Sequence, residues 1–381
     1  MEIFNTPADF VQKLIDRIHE EDVELETLNV MILGKTGVGK STLVNNMFRE
    51  KVAEIGVGKP VTDKIRQYVK PDFPLTIYDT PGLELGGENT IEKLLEEAIG
   101  VIKQGIKSGE IGKAIHCIWY CVSTPSHRFE QSEVEFLKRF LDETEYFNVP
   151  VIVVLTQSYS KKDADELKKE IEKENLKIVN VVPVLAEDYY FDDEDPPKKA
   201  FGLDTLSEIM CSVIPEAVQK TFVAVQCVSL ELKKSKARAA VKAAVAGSFA
   251  EGFAPLPFAD AAMLIPTQVG MIAGITVIFG LDINKSFLTS FVTATIGSAG
   301  ATVLGRTIVS NLVKLIPGVG TAAGGVISGA TAGLLTIALG EAYIRIMEMV
   351  YKGEIRKEEL YSEEGKDIMK QLFQNELKKK R

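Results

Sequence analysis

Histidine, cysteine and tryptophan are scarce in this 381-residue chain, which holds three, four and one of them respectively. The histidines His19, His116 and His127 are scattered. Cys117, Cys121, Cys211 and Cys227 form no C-x-x-C pair and no Cys/His cluster at ligand spacing. These absences argue against a zinc-type centre and a disulfide framework, and fit reduced thiols. A basic surplus is missing as well: the formal charge is −9. DNA is therefore not an expected partner, since nucleic-acid binding needs a basic face. The N-terminus has no basic region followed by an apolar core, so no secretory leader is expected. Between Ala261 and Gly340 charge itself nearly vanishes, with Asp282, Lys285, Arg306 and Lys314 as its bearers.

What is present describes a folded chain of more than one domain: 46% of residues are hydrophobic and 25% charged. Residues 6–21 read as an amphipathic helix. Thr6 stands at the N-cap and Pro7 at the first helical position, and Phe10, Leu14 and Ile18 share one face. Packing of this helix on the far C-terminal helices is expected. From Leu28 strands and helices alternate. Strands are expected at Leu28–Leu33, Ile65–Val69, Leu75–Tyr78, Ile115–Val122, Val149–Leu155 and Ile178–Leu185. Helices are expected at Lys40–Arg49, from about Thr90, at Glu130–Leu141, Ala164–Glu174 and Asp204–Val213. The alternation predicts an α/β domain, a mostly parallel sheet with helices on both faces.

One stretch carries specific chemistry. Gly34-Lys35-Thr36-Gly37-Val38-Gly39-Lys40-Ser41 fits G-x-x-x-x-G-K-[ST], directly after a strand and before a helix. Glycines let several backbone N–H groups turn inward around a phosphate, and the N-terminus of the helix that opens at Lys40, with Thr42 in its first turn, adds its positive end. Lys40 is expected on the β- and γ-phosphates and the Ser41 hydroxyl on Mg2+. A second motif, Asp79-Thr80-Pro81-Gly82, ends the strand Leu75–Tyr78. Asp79 is expected to hold Mg2+, and the Gly82 N–H to touch the γ-phosphate. Thr62, in Lys59-Pro60-Val61-Thr62, is the candidate switch residue that closes over metal and γ-phosphate; Thr76 is the alternative hydroxyl. A P-loop of this kind implies nucleotide and magnesium, hence a cytoplasmic location.

These two motifs resemble those of the translation-factor-related GTPases, in particular the Era/TrmE-like branch, over roughly Asn29 to Ala186. The run Ile115-His116-Cys117-Ile118-Trp119-Tyr120 is similar to the central strand of immunity-related G domains. The resemblance implies GTP/GDP as ligand and a base-reading motif Asn/Thr-Lys-x-Asp after a late strand. There this chain departs: Thr156 fits, but Gln157 stands for the Lys and Tyr159 for the Asp. Asp163 or Asp165 substitutes if the loop is longer. The following Ser-Ala element is reduced to Leu185-Ala186. Thr156, Gln157 and Ala186 are thus the candidates at the base, and an adenine nucleotide stays open because phosphate motifs do not select it. Leu83 follows Gly82 where some switch GTPases carry a water-orienting Gln. This predicts slow intrinsic turnover, raised by dimerisation or a partner. Arg128 is a candidate charge stabiliser and a solvated loop residue its alternative.

After Pro215 the composition changes. Val218–Gly247 reads as one long helix with a basic stripe, Lys233, Lys234, Lys236, Arg238 and Lys242. Beyond it Gly, Ala, Thr and Ser alternate with Ile, Val and Leu, as at close helix interfaces. Ala261–Leu281, Ser286–Gly305 and Leu315–Gly340 are candidates either for core helices of a bundle or for hairpins at a membrane surface. The segments Pro255-Leu256-Pro257-Phe258-Ala259-Asp260 and Leu315-Ile316-Pro317-Gly318-Val319-Gly320 resemble an uncharacterised helical domain that follows Era-like G domains in bacterial proteins and is often described as membrane-associated.

The expected organisation is an N-terminal helix in 1–26, a P-loop GTPase domain in 27–216, an all-α Gly/Ala-rich domain in 217–351 and a charged tail in 352–381. The expected function is a GTP-hydrolysing switch whose helices contact an effector or a membrane. Two alternatives are a nucleotide-binding scaffold with negligible hydrolysis and a membrane-remodelling GTPase that forms nucleotide-dependent dimers or oligomers.

Overall fold

The computed structural model describes residues 7–48, 59–60, 62, 65–80, 88–191, 196–251, 256–257, 264–296, 326–327 and 329–379. Its contacts divide the chain into two compact units, residues 25–229 and residues 1–24 with 230–381. Residues 217–229, grouped above with the apolar helices, fall in the first unit, and the N-terminal helix falls in the second.

The first unit is built on a sheet with the order β2-β3-β4-β1-β5-β6-β7. Its strands are β1 (Leu28–Gly34), β2 (Lys59–Pro60), β3 (Arg66–Val69), β4 (Leu75–Asp79), β5 (Cys117–Ser123), β6 (Val151–Thr156) and β7 (Asn180–Pro183). The pairs β1–β4, β1–β5, β5–β6 and β6–β7 are parallel; β3 runs antiparallel to β2 and β4. Every residue of β1 and β6 is buried, which is why these strands read as nearly continuous apolar runs, interrupted only by Asn29 and by Thr156 at the end of β6. Side chains alternate between faces. Met31, Leu33, Ile118, Tyr120, Val122, Val151, Val153 and Leu155 form one core with α3 (Glu88–Lys107), α4 (Gln131–Thr144) and α5 (Lys161–Lys173). On the other face the Trp119 ring stacks on Phe48, 6.0 Å away, and Phe222 of α7 (Glu216–Val225) meets Phe48 edge-on. Helices thus cover both faces of a mostly parallel sheet.

His116 serves this core. Its Nδ1 accepts the Asn29 N–H and its Nε2 lies 3.0 Å from the Ile111 carbonyl, an arrangement of the neutral ring. Burial lowers its pKa.

The single long helix expected over Val218–Gly247 is two helices, α7 and α8 (Leu230–Glu251). The cause is Gln226, whose fully buried side chain accepts the N–H groups of Val228 and Ser229 and donates to the Ser229 carbonyl. A side chain that satisfies three turn groups competes with helix continuation. The backbone at the break pairs with the sheet unit instead: Phe48 bridges Gln226, and the Cys227 N–H donates to the Met47 carbonyl.

In the second unit α1 (Pro7–Val23) packs against α9 (Leu264–Phe279) and α10 (Lys285–Ile296), and α8 packs against α11 (Gly329–Tyr351). Phe10 and Leu14 are buried, as the four-residue periodicity requires; Ile18 is half-buried, and Val11 joins the buried face. Thr6 lies outside the described residues. Gly340 sets the α8–α11 approach: a Cβ there would sit 2.5 Å from a Val241 methyl. The basic stripe is solvated in part: Arg238 and Lys242 are exposed and Lys234 and Lys236 half-buried, but Lys233 is not on that face. Lys233 is buried and donates to the Ile278 carbonyl in the last turn of α9. Lys233, Ala237, Val241 and Ala244 form the buried side of α8, so the interior period overrides the charge pattern. Arg238 reaches Glu341. Glu348, against the cost of its burial, is held ionised by Lys352, Arg345 and Lys234, with its pKa down to about 2.

Ala261–Leu281 yields the 16-residue α9, about 24 Å long where a bilayer core needs about 30 Å. Among the described residues no helix is long and apolar enough to cross a membrane. Residues 297–325, which include parts of the other two segments, lie outside the described residues.

Candidate functional site

The parallel strands deliver their C-terminal ends to one edge of the sheet. β1 and β4 run side by side with Ile32 opposite Asp79, so the loop after β1 and the end of β4 meet there. β5 and β6 pair Ser123 with Thr156, bringing a third and a fourth loop to the same edge. Ligands bind at such edges because several loops converge where no strand blocks access.

The loop 34–41 enters α2 (Lys40–Met47), with Gly39 capping the helix in the left-handed region at φ 88°. The Lys40 ammonium donates to the carbonyls of Gly34 (2.9 Å) and Lys35 (3.1 Å), which folds it back over the loop. Ser41, Thr36 and Gly37 are exposed. The Lys35 ammonium is committed elsewhere, to Glu130 (2.8 Å) and Glu133 (3.1 Å). These carboxylates outweigh burial and raise its pKa. Of Lys35, therefore, the backbone remains for a phosphate. The same two glutamates box the start of α4, so one pair anchors the P-loop and starts a helix.

Asp79 is the most telling residue. Its Oδ1 is buried and has no hydrogen-bond partner among the described residues. Burial pushes its pKa up to about 6, while the charges of Lys40 and Arg66 pull the other way. A buried carboxylate oxygen aimed at nothing is costly unless a ligand completes it. Neighbouring Thr80 is tied down, with its N–H and hydroxyl both directed to the Ile32 carbonyl. Oxygen donors of this kind, a carboxylate at a strand end and an exposed hydroxyl, suit a hard cation such as Mg2+. Among the described residues no group of three or more His, Cys, Asp or Glu could hold a metal on its own, and Mg2+ bound with a nucleotide takes its remaining ligands from phosphate and water.

Thr62 hydrogen-bonds elsewhere. Its hydroxyl donates to the Glu97 carboxylate of α3 and accepts the Ile65 N–H. Thr76 is buried within β4, paired with Asn29. Pro81, Gly82 and Leu83 lie outside the described residues. Arg128 is in a loop before α4 and its charge falls on Glu130.

Beside the P-loop lies a pocket of about 110 Å³ whose walls include Gly39, Thr42, Thr156, Gln157, Tyr159 and Ala186. Thr156 is fully engaged: its hydroxyl reaches the Val38 and Val122 carbonyls and clamps the P-loop to the sheet. Gln157, at φ 53°, accepts from the Ser123 hydroxyl (2.6 Å) and donates to the Gly37 carbonyl (3.2 Å). The glutamine thus holds the P-loop at the place where the resemblance implies a lysine. Asp163 and Asp165 sit on α5, whose N-cap Ser160 accepts the Asp163 N–H, and neither lines the pocket. Glu187 and Tyr189 do line it. Motif reading passed over them, although Glu187 directly follows Leu185-Ala186.

Comparison with known proteins agrees with this geometry. Residues 29–182 match the 50S ribosome-binding GTPase family, and residues 221–380 match a domain of unknown function, DUF697. The chain is similar to neuronal-specific septin-3 of Danio rerio, 25% identical over 171 residues, covering 38% of this chain and 46% of the relative. It is also similar to septin-1 of Drosophila melanogaster, 25% identical over 195 residues, covering 43% and 52%. The chain spans about half the length of these curated relatives. Among solved structures, Toc33 from Arabidopsis thaliana aligns at 21% identity over 57% of this chain and 93% of its own, with a TM-score of 0.30. Era, solved with MgGDPNP and ribosomal RNA, aligns at 23% identity over 50% and 58%, with a TM-score of 0.31. With a phosphate-binding loop at the edge of a mostly parallel sheet, residues 29–182 form a P-loop GTPase domain that matches the 50S ribosome-binding GTPase family, and a match to a domain of unknown function follows it in the sequence.

Proposed function

We propose that this chain is a GTP-hydrolysing switch and that the helices after residue 229 are its effector module. The observation that carries the proposal is the buried, unpartnered Asp79 Oδ1 at the strand end beside the P-loop, with the Lys40 charge close enough to depress its pKa. Backbone N–H groups of Lys35 to Thr42 cradle the phosphates, and Lys40 leaves its two carbonyls to meet them. Ser41 and Asp79 would hold Mg2+. When bound, the ion neutralises charge on the phosphate oxygens. Thr62 leaves Glu97 in the triphosphate state, and the exchange of that bond is the switch. Leu83 cannot orient water, so a second copy or a partner supplies the missing group.

The test is single-turnover hydrolysis of GTP at rising protein concentration. Dilute protein is expected to turn over at roughly 10⁻³ to 10⁻² per second, and faster as concentration rises. Turnover of tens per second in a strictly monomeric sample would refute the reading; no cleavage at any concentration would leave a binding scaffold.

The raised pKa of Asp79 gives a pH dependence. Cation binding needs the ionised carboxylate, so Mg2+-dependent nucleotide binding is complete well above pH 6 and weakens below it. With a pKa of about 6, affinity at pH 5 is expected to be about tenfold lower than at pH 7.5. Calorimetric titration at the two values checks this, and an unchanged affinity would remove Asp79 from the cation site.

A further inference from the structure

Base selection at this site has no carboxylate acceptor in the place where the resemblance implies an aspartate, since Tyr159 stands there. Among the described residues, four nearby carboxylates are candidates in its place. Asp163 and Asp165 are on α5 and do not line the pocket. Asp188 does not line it either: its oxygens are taken by the Lys199 ammonium (2.7 Å) and the Ala200 N–H (2.9 Å). Glu187 is the one that lines the pocket. It is exposed, on the loop that leaves β7.

The pocket is continuous with the P-loop through Gly39 and Thr42, so a nucleotide whose phosphates sit on the loop places its base here. One side of this space is aromatic. Tyr159 and Tyr189 have ring centroids 4.2 Å apart, and Phe191 follows at 5.0 Å from Tyr189. Such rings present flat faces to a purine. The Glu187 carboxylate faces the same group of side chains, because its charge, after burial and Tyr189, helps to raise the Tyr159 pKa.

We propose that Glu187 is the residue that selects guanine, reading its N1–H and exocyclic N2–H with the two carboxylate oxygens. The inference rests on the nucleotide-binding reading above. Guanine offers two adjacent donors on this edge, and a carboxylate accepts both. Adenine offers at the same place a ring nitrogen lone pair and no amino group, so the charge would be left facing an acceptor. The acid therefore comes from the loop after β7 and not from the loop after β6, and Tyr159 and Tyr189 pack beside it.

The test is Glu187→Gln in the full chain, titrated in Mg2+ with GDP, ADP and xanthosine diphosphate. Wild type is expected to bind GDP at least about 100-fold tighter than ADP. A glutamine accepts from N1–H but cannot accept from N2–H, so GDP should weaken by about 10- to 100-fold. Xanthine carries an oxygen at C2, which the glutamine amide can donate to, so xanthosine diphosphate should tighten. A misfolded variant cannot produce that gain. Asp163→Asn and Asp165→Asn should leave all three affinities as in wild type. Unchanged GDP affinity in Glu187→Gln, with no gain for xanthosine diphosphate, would overturn the assignment. Equal binding of GDP and ADP by wild type would overturn it too, while leaving the phosphate site standing. Failure of wild type to bind any of the nucleotides would remove both.

Discussion

Replacing Lys40 with methionine is expected to lower affinity for a GTP analogue by about 100-fold or more, while the fold melts within a few degrees of wild type. The methionine keeps most of the aliphatic stem and deletes the charge. Lys40 carries two loads that fail together. Its ammonium, which now rests on the Gly34 and Lys35 carbonyls, is lost as a donor to phosphate, and a hydrogen bond between charged groups is worth about 1.5–3 kcal/mol each. Its charge also holds the Asp79 pKa down, so the carboxylate becomes harder to ionise. The second effect has its own signature: the pH midpoint of Mg2+-dependent binding should move above the value near 6 expected for the intact site. Calorimetry across pH 5 to 8 reads both. A variant that loses affinity at an unmoved midpoint would show that the lysine acts on phosphate alone.

Gly202→Ala is expected to destabilise the sheet unit by roughly 3–5 kcal/mol, a drop in Tm of about 10 °C. Gly202 lies at φ 84°, and a Cβ there would come within 2.1 Å of the Pro183 carbonyl oxygen and 3.2 Å of the Val184 Cα. The neighbour is backbone at the end of β7 and cannot swing aside. The residue before it, Phe201, exchanges hydrogen bonds with Leu185. A shift forced at Gly202 therefore passes straight to the loop Val184–Glu187 that walls the base pocket. Loss of nucleotide selectivity should accompany the loss of stability. Gly353→Ala is the control: its φ is 68°, but nothing lies within 4 Å of the added methyl, so about 1–2 kcal/mol is expected. Thermal unfolding of both variants, followed by GDP and ADP titration of Gly202→Ala below its Tm, checks the pair. Equal losses for the two would mean that the left-handed backbone, and not the Pro183 contact, sets the cost.

The parts of the molecule that were legible in the sequence are those whose cause is local. β1, β5 and β6 are buried on both faces for nearly their whole length, so their residues are apolar apart from Asn29, Ser123 and Thr156. The P-loop is contiguous, and its chemistry follows from spacing alone. What was hidden depends on partners distant along the chain. Nothing near Gln226 shows that its side chain will close a turn whose backbone pairs with Met47 and Phe48. Nothing near Lys233 shows that its ammonium will reach the Ile278 carbonyl. The basic stripe is therefore solvated at Arg238 and Lys242 but turned inward at Lys233. Thr62 was picked out by its place before a strand, but its bond to Glu97 needs α3 to be placed first. In the base pocket the expected aspartate was sought after β6, while the carboxylate in the pocket enters after β7, because the sheet sets those two loops side by side.

The pairing of α1 with α9 and α10 bears on how the chain is made. α1 ends at Val23 and α9 begins at Leu264, so the ribosome delivers the two about 240 residues apart. At roughly 5–20 residues per second this is an interval of about 10 to 50 seconds. Until its end Phe10, Val11 and Leu14, all buried in the finished protein, lack the cover of α9 and α10, while the sheet unit between is completed at Ser229, before α9 is made. The newborn chain therefore presents a loose apolar helix ahead of a folded domain, which is the kind of exposed surface that a holding chaperone recognises.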